Sequence, residues 1–254
     1  QGSRAASPGP AGGRAARGAG VRNPGARSAR PSAVPGLLPC EERDADRFFG
    51  RDPEVDAFVE RLRHEPTVAV VGPSGAGKSS FVSAGVVPRL REQGPWIVLS
   101  MRPGREPLRV LASRLIWGTT TLGSAGATAS HASDPGAGDA ATVDSGSRAG
   151  RDELTLAREL GDAPSTLGLE LGRLADAEGA RVLLLVDQLE ELYTLVDDPA
   201  VRGQFMQALA TAADDRQGPG RVVVTVRDDF LGRLAEGTLA RELLSRVAVV
   251  RSPD

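Results

Sequence analysis

Lysine is nearly missing from this chain. Of its 31 basic residues only Lys78 is a lysine, and every other is an arginine. Cysteine is as scarce: Cys40 stands alone, which excludes an internal disulfide, favours a reducing, cytoplasmic setting and marks Cys40 as packing rather than a nucleophile. Long apolar runs are also lacking. The longest reach about five residues, as in Val182 to Val186, too few for a membrane-spanning helix or the core of a signal peptide. Neither sign of charge prevails, and a formal net charge of −2 gives no global field toward nucleic acid or a membrane. The two histidines, His64 between charged residues and His131 in a polar stretch, do not suit a metal site.

Two segments lack the material of a core. Residues 1–34 contain six arginines, no acid and almost no large apolar side chain, so a disordered basic Arg/Gly/Pro-rich tail acting as a linker is expected there. Residues 118–150 are Gly, Ala, Ser, Thr and Asp with almost no apolar anchor, which predicts a disordered insertion. The remainder of 35–254, roughly 180 residues, suffices for one folded domain. A chain that begins with Gln1 and stops at Asp254 reads as an excerpt of something longer.

Against these absences stands Thr67 to Ser80. An apolar run, Thr67-Val68-Ala69-Val70-Val71, breaks into Gly72-Pro73-Ser74-Gly75-Ala76-Gly77-Lys78-Ser79-Ser80 and then turns helical. Gly72, Gly77, Lys78 and Ser79 fit the phosphate-binding loop pattern G-x-x-x-x-G-K-[ST], with a strand before it and a helix after it. Glycines at 72, 75 and 77 allow backbone dihedrals closed to other residues, so that successive N–H groups point at a polyanion. The helix start adds its positive end. Lys78 then reaches the β/γ-phosphates of a nucleotide, and the Ser79 hydroxyl is a ligand of Mg²⁺.

Further on, five consecutive apolar residues lead into Asp187-Gln188-Leu189-Glu190-Glu191. Such a run suits a parallel strand covered on both faces, and an acid at its carboxyl end falls where open α/β sheets bind ligands. Beside the loop, Asp187 reads as the Walker B acid that holds Mg²⁺ directly or through water. Glu190 and Glu191 either polarise the attacking water or simply favour a helix start. Arg221 to Arg227 forms a further buried strand whose terminal Thr225 and Arg227 sense the γ-phosphate, or Arg227 pairs with Asp228 or Asp229.

The remaining elements follow from periodicity. Asp52 is expected to cap a helix with Pro53 at its first position and Val55, Phe58, Val59 and Leu62 inward. Gly50-Arg51 is expected to bend the chain over the nucleotide base. The helix from Ser79 is expected to end near Val87, because Pro88 disfavours continuation. Trp96–Met101 reads as a strand and Pro107–Trp117 as a helix. Helices are also expected over Asp152–Leu160, over Leu167–Ala177 with Ser165 as cap, and over 200–213, Asp229–Leu234 and Leu239–Leu244; Val247–Val250 reads as the last strand. Strands alternating with helices give an α/β, three-layer, doubly wound fold with five strands.

Four blocks together resemble the STAND class of P-loop NTPases, most closely its first novel bacterial family: Asp44 to Asp52, Val71 to Ser80 with Ala84-Gly85 and Pro88, Val186 to Leu192, and Thr225 to Leu231. Arg102-Pro103-Gly104 also looks like that family. The likeness covers about Pro35 to Val250 apart from the insertion. It implies a parallel sheet of order 5-1-4-3-2 and an ATP-dependent switch in signal transduction, commonly fused to WD40 or other repeats. It further implies that Phe49, Gly50 and Arg51 lie near the adenine and ribose. Gly72, Pro73, Ser74, Gly75, Ala76, Gly77, Lys78, Ser79 and Ser80 would bind phosphate, and Ser79 and Asp187 would hold magnesium. Glu190 and Glu191 would be the acidic pair, with Arg227 at the sensor position. Departures are Asp52 where glutamate is commoner, Leu189 where phenylalanine is, and Gln188 where many related ATPases carry the catalytic glutamate.

The expected function is therefore ATP binding with hydrolysis, ATP and Mg²⁺ being the ligands; the alternative is a nucleotide-holding scaffold with negligible turnover. Self-association, or repeat and effector domains outside this chain, are the expected partners. A guanine-specific site is disfavoured because Asn-Lys-x-Asp needs a second lysine. Nucleic acid is disfavoured because the only basic concentration is the tail.

Overall fold

The computed structural model describes residues 50–122, 152–214, 218–235 and 247–249. The expectations for the 1–34 tail, for Cys40, for Phe49, for 123–150 of the insertion and for the Leu239–Leu244 helix lie outside the described residues. The elements in chain order are α1 (Asp52–His64), β1 (Thr67–Gly72), α2 (Lys78–Ser80), a π-helical stretch (Phe81–Val86) and α3 (Val87–Glu92). Next come β2 (Trp96–Met101), α4 (Pro107–Leu122), α5 (Glu153–Asp162), α6 (Thr166–Glu178), β3 (Arg181–Val186) and α7 (Glu191–Thr194). α8 (Pro199–Asp214), β4 (Gly220–Arg227), a 3₁₀ turn (Asp228–Phe230), α9 (Leu231–Ala235) and β5 (Val247–Val249) complete it.

The five strands are all parallel, in the order β2-β3-β4-β1-β5, the expected order read from the other edge. Their apolar runs split by the two-residue period of a strand into two cores. Val68, Val70, Leu183, Leu185 and Val223 face α1 and the helical run 78–92. Ala69, Val71, Val182, Leu184, Val186, Val222, Val224 and Val226 face α4, α5, α6 and α8. Burial on both sides is why these strands read as continuous hydrophobic runs rather than alternating ones. On the first face Phe58 of α1 meets Phe81 edge-on at 5.4 Å, which binds α1 to the helix that follows the glycine loop.

Several helix boundaries differ from expectation. The helix after the loop passes Pro88 and runs on to Glu92. Its widened stretch ends just before the proline, with Val87 N–H donating to Val82 O, five residues back. A widened turn spares the carbonyl that a proline ring would otherwise strike. Arg51, not Asp52, takes the N-cap position of α1, without a side-chain cap, and Ser165 occupies the α6 cap in helical geometry, also without one. α4 continues through Gly118 to Leu122, so 118–122 is helical rather than part of the expected insertion. Gly118 is where the extension passes closest to its neighbours. A Cβ there would lie 3.1 Å from Leu99 Cδ2 and 3.2 Å from Leu174 Cδ2, so its bare backbone is what lets the helix lie close to β2 and α6.

Candidate nucleotide site

The parallel strands end at one edge of the sheet, and β1 opens there into the glycine loop. Gly75 and Gly77 both have φ of +77°, a left-handed conformation that a side chain resists. Gly77 is the N-cap of α2, and the Phe81 N–H donates to its carbonyl at 2.7 Å. Pro73 and Ser74 are exposed, Ala76 is buried, and the Ala76 N–H closes a turn on Pro73 O at 3.2 Å. Lys78 folds back under the loop, only 8% exposed, and donates to Gly72 O at 2.9 Å and Pro73 O at 2.8 Å. Burial pushes its ammonium below the usual lysine range; Glu190, Asp187 and Asp228 oppose that shift, and Arg227 adds to it. A buried cation bonded to carbonyls suits an anion coming from outside.

Asp187 lies across from Lys78 and joins three segments. Its Oδ1 accepts from Ser79 Oγ at 2.6 Å and from Thr225 Oγ1 at 2.7 Å. Arg102 Nε lies 3.4 Å from its Oδ2. Past Asp187 the chain turns sharply: Gln188 has φ of +58°, uncommon for a residue with a side chain. Thr225 holds that turn. Its hydroxyl accepts from Gln188 N–H at 2.9 Å while donating to Asp187, and its carbonyl accepts from Leu189 N–H at 2.9 Å. Thr225→Val keeps the shape but takes the acceptor from the Gln188 N–H and leaves the buried Asp187 Oδ1 with Ser79 alone. A loss of about 1–3 kcal/mol in unfolding free energy is expected, measured by denaturant titration.

The acidic pair separates. Glu190 is buried and its Oε2 accepts from Arg227 N–H at 3.3 Å, on the Lys78 side of the site. Burial pushes its carboxyl above the usual range; the backbone N–H groups of Glu190 and Arg227, with Lys78, hold it back, and Asp187 adds to the rise. Glu191 turns away, accepting from Gly104 N–H at 3.1 Å. Arg227 commits its guanidinium to Asp229, with Nε to Oδ1 at 3.0 Å and a terminal nitrogen to Oδ2 at 2.6 Å, beside the Phe230 ring. Of the two sequence readings for Arg227, this is the ion pair.

Gly50, with φ of +88°, and Arg51 stand at the start of α1, linked to the loop helix through the Phe58–Phe81 contact. Ser80 follows Ser79 in α2. Two site features were not assigned from sequence: the Arg102 contact to Asp187 and the threefold hold of Thr225. Both depend on register. The Asp187 N–H donates to Met101 O at 2.8 Å, which sets Arg102 beside the acid, and Val186 pairs with Val224, which sets Thr225 on its other side.

The profile of the family described as Novel STAND NTPase 1 matches residues 34–254. The chain belongs to that family. No match was found among curated proteins. This STAND NTPase is similar to the Walker-type ATPase of Pyrococcus abyssi, 15% identical over 85% of this chain and 57% of that one, with a TM-score of 0.48. It is also similar to the ORC2 protein of Aeropyrum pernix, solved in ADPNP and ADP complexes. That likeness is 13% identity over 86% of this chain and 51% of the other, with a TM-score of 0.50. At 13% identity the likeness to the Aeropyrum protein is one of fold. The STAND NTPase spans a little over half the length of either structure. It is a P-loop NTPase nucleotide-binding fold.

The residues present fit a triphosphate with Mg²⁺. The donors are hard oxygens, the Ser79 hydroxyl and Asp187 carboxylate are 2.6 Å apart, and the loop presents a buried ammonium. Among the described residues no group of three or more His, Cys, Asp or Glu side chains is placed to cage a metal. No described helix is long and apolar enough to cross a membrane.

Proposed function

We propose that this STAND NTPase binds Mg·ATP, hydrolyses it, and works as a switch whose output depends on the nucleotide state. The observation that carries the proposal is Lys78, a buried cation held under the glycine loop with Ser79 and Asp187 in contact beside it. On this reading residues 72–80 wrap the phosphates with backbone N–H groups, and Lys78 turns from Gly72 and Pro73 toward the β/γ oxygens. Gly50 and Arg51, together with Phe49, lie against the base. Mg²⁺, held by Ser79 and Asp187, supplies neutralisation of the charge on the phosphate oxygens. Glu190 orients the attacking water and accepts its proton. Its carboxyl is buried on the Lys78 side of the site and shifted upward, while Glu191 holds the 102–104 turn in place. Arg227 senses the γ-phosphate by exchanging its bond to Asp229.

A second reading, a nucleotide held with negligible turnover, is favoured by one observation: Gln188, directly after the metal acid, offers no carboxylate, and its backbone is tied to Thr225. Equilibrium binding of Mg·ATP against GTP, together with phosphate release, separates the two. A cytoplasmic site of action and partners in repeat or effector domains, or in a second copy of the chain, complete the proposal.

The raised Glu190 carboxyl gives the hydrolysis reading a pH signature. The base must be ionised, so turnover falls as acid protonates it. The acid limb of the rate profile is expected above the ordinary glutamate value of about 4.3, and it should disappear in Glu190→Gln. A limb that persists in that variant would assign the titration to another group.

A further inference from the structure

Asp187 has two oxygens, and only one is used by the loop and β4. The other faces Arg102, whose side chain is 43% exposed against 9% for that of Asp187. Arg102 meets the acid through Nε alone, and among the described residues it makes no other ion pair. Its two terminal nitrogens, the fork that grips phosphate in paired hydrogen bonds, are therefore available. The backbone beneath it is fastened independently, by Gly104 N–H to Glu191 Oε2 and by Asp187 N–H to Met101 O. A guanidinium with room to swing thus sits on a fixed turn.

Its place in the sheet decides which phosphate it can meet. β2 is three strands from β1 in the order β2-β3-β4-β1-β5, roughly 14 Å at the usual strand spacing. The glycine loop leaves β1, and α1, with Gly50 and Arg51 at its start, packs on the β5 side, where Arg61 donates to Val247 O at 3.1 Å. A nucleotide lying from α1 toward β3 presents only the last phosphate to Arg102. A divalent ion at Ser79 and Asp187 competes with the guanidinium for the same carboxylate, and the oxygens that accompany it are the nearest acceptors for the displaced side chain.

We propose that Arg102 is a specificity residue for triphosphate over diphosphate, exchanging its pairing with Asp187 for the terminal phosphate of the bound nucleotide. The proposal rests on the nucleotide reading above. It adds a cation supplied by this chain, placed on the opposite flank of Asp187 from Lys78.

The test is equilibrium binding, by calorimetry, of a non-hydrolysable ATP analogue and of ADP, each with Mg²⁺, to the 254-residue chain. Arg102→Gln is expected to weaken the analogue about tenfold or more and to change ADP by less than about twofold. Arg102→Lys, which keeps the charge but not the fork, should recover part of the loss. Arg105→Gln, a neighbouring exposed arginine, should leave the ratio of the two affinities unchanged. An unchanged ratio in Arg102→Gln, or equal weakening of both ligands, overturns the assignment while the nucleotide reading stands. Failure of the unaltered chain to bind either ligand overturns both.

Discussion

Replacing Glu190 by glutamine should lower the rate of phosphate release by about 10²–10⁴-fold while leaving Mg·ATP affinity nearly unchanged. The carboxylate is buried beside Lys78 and Asp187, and backbone N–H groups of Glu190 and Arg227 orient it, the latter at 3.3 Å from Oε2. Its upward shift suits it to accept a proton. Glu191→Gln should do far less to the rate, because that side chain serves Gly104. Folding stability supplies an independent check with a definite sign. A carboxyl whose value is raised by folding favours the native state at low pH and opposes it once pH passes the raised value. The glutamine variant should then unfold at a higher temperature than the parent at neutral pH, with the difference vanishing below the ordinary glutamate range. A variant that keeps full turnover would favour the scaffold reading, in which nucleotide is held and not consumed.

Lys78→Ala should remove Mg·ATP binding, by roughly 100-fold to more than 1,000-fold, since two or more charge-assisted hydrogen bonds to phosphate are lost together. The thermal midpoint should hold or rise. Among the described residues the ammonium donates to the Gly72 and Pro73 carbonyls, and burial outweighs the pull of Glu190, Asp187 and Asp228 on its charged form, so it contributes little that the free fold needs. Loss of binding together with loss of folding would instead make Lys78 a structural strut. Lys78→Arg should fare little better than alanine, because the guanidinium is too broad for a space shaped around one ammonium.

Much of this site is legible before any coordinates, for a physical reason. Backbone amides can surround a polyanion only where glycine permits left-handed dihedrals, and Gly75 and Gly77 show those angles. A strand buried on both faces must read as an apolar run, so the position of Asp187 at its carboxyl end follows from composition alone. What escapes the sequence depends on partners distant along the chain. Glu190 and Glu191 are chemically identical neighbours, and only the turn at Gln188, held by Thr225 from β4, sends one toward Lys78 and the other toward Gly104. Arg102 meets Asp187 because β2 and β3 pair in one particular register. Pro88 is read as a stop because an ordinary helix cannot take it, and the π-helical stretch before it changes the rule. Gly118 looks like the opening of a featureless insertion until Leu99 and Leu174 are seen against it.

The structure of this chain solved with Mg²⁺ and a non-hydrolysable ATP analogue tests the central claim most directly. The expected result places the phosphates inside the 72–80 loop with Lys78 on their terminal oxygens, and the metal against Ser79 and Asp187. A nucleotide bound elsewhere on the chain, or a loop with Lys78 still bonded to the Gly72 and Pro73 carbonyls beside a bound nucleotide, would contradict it.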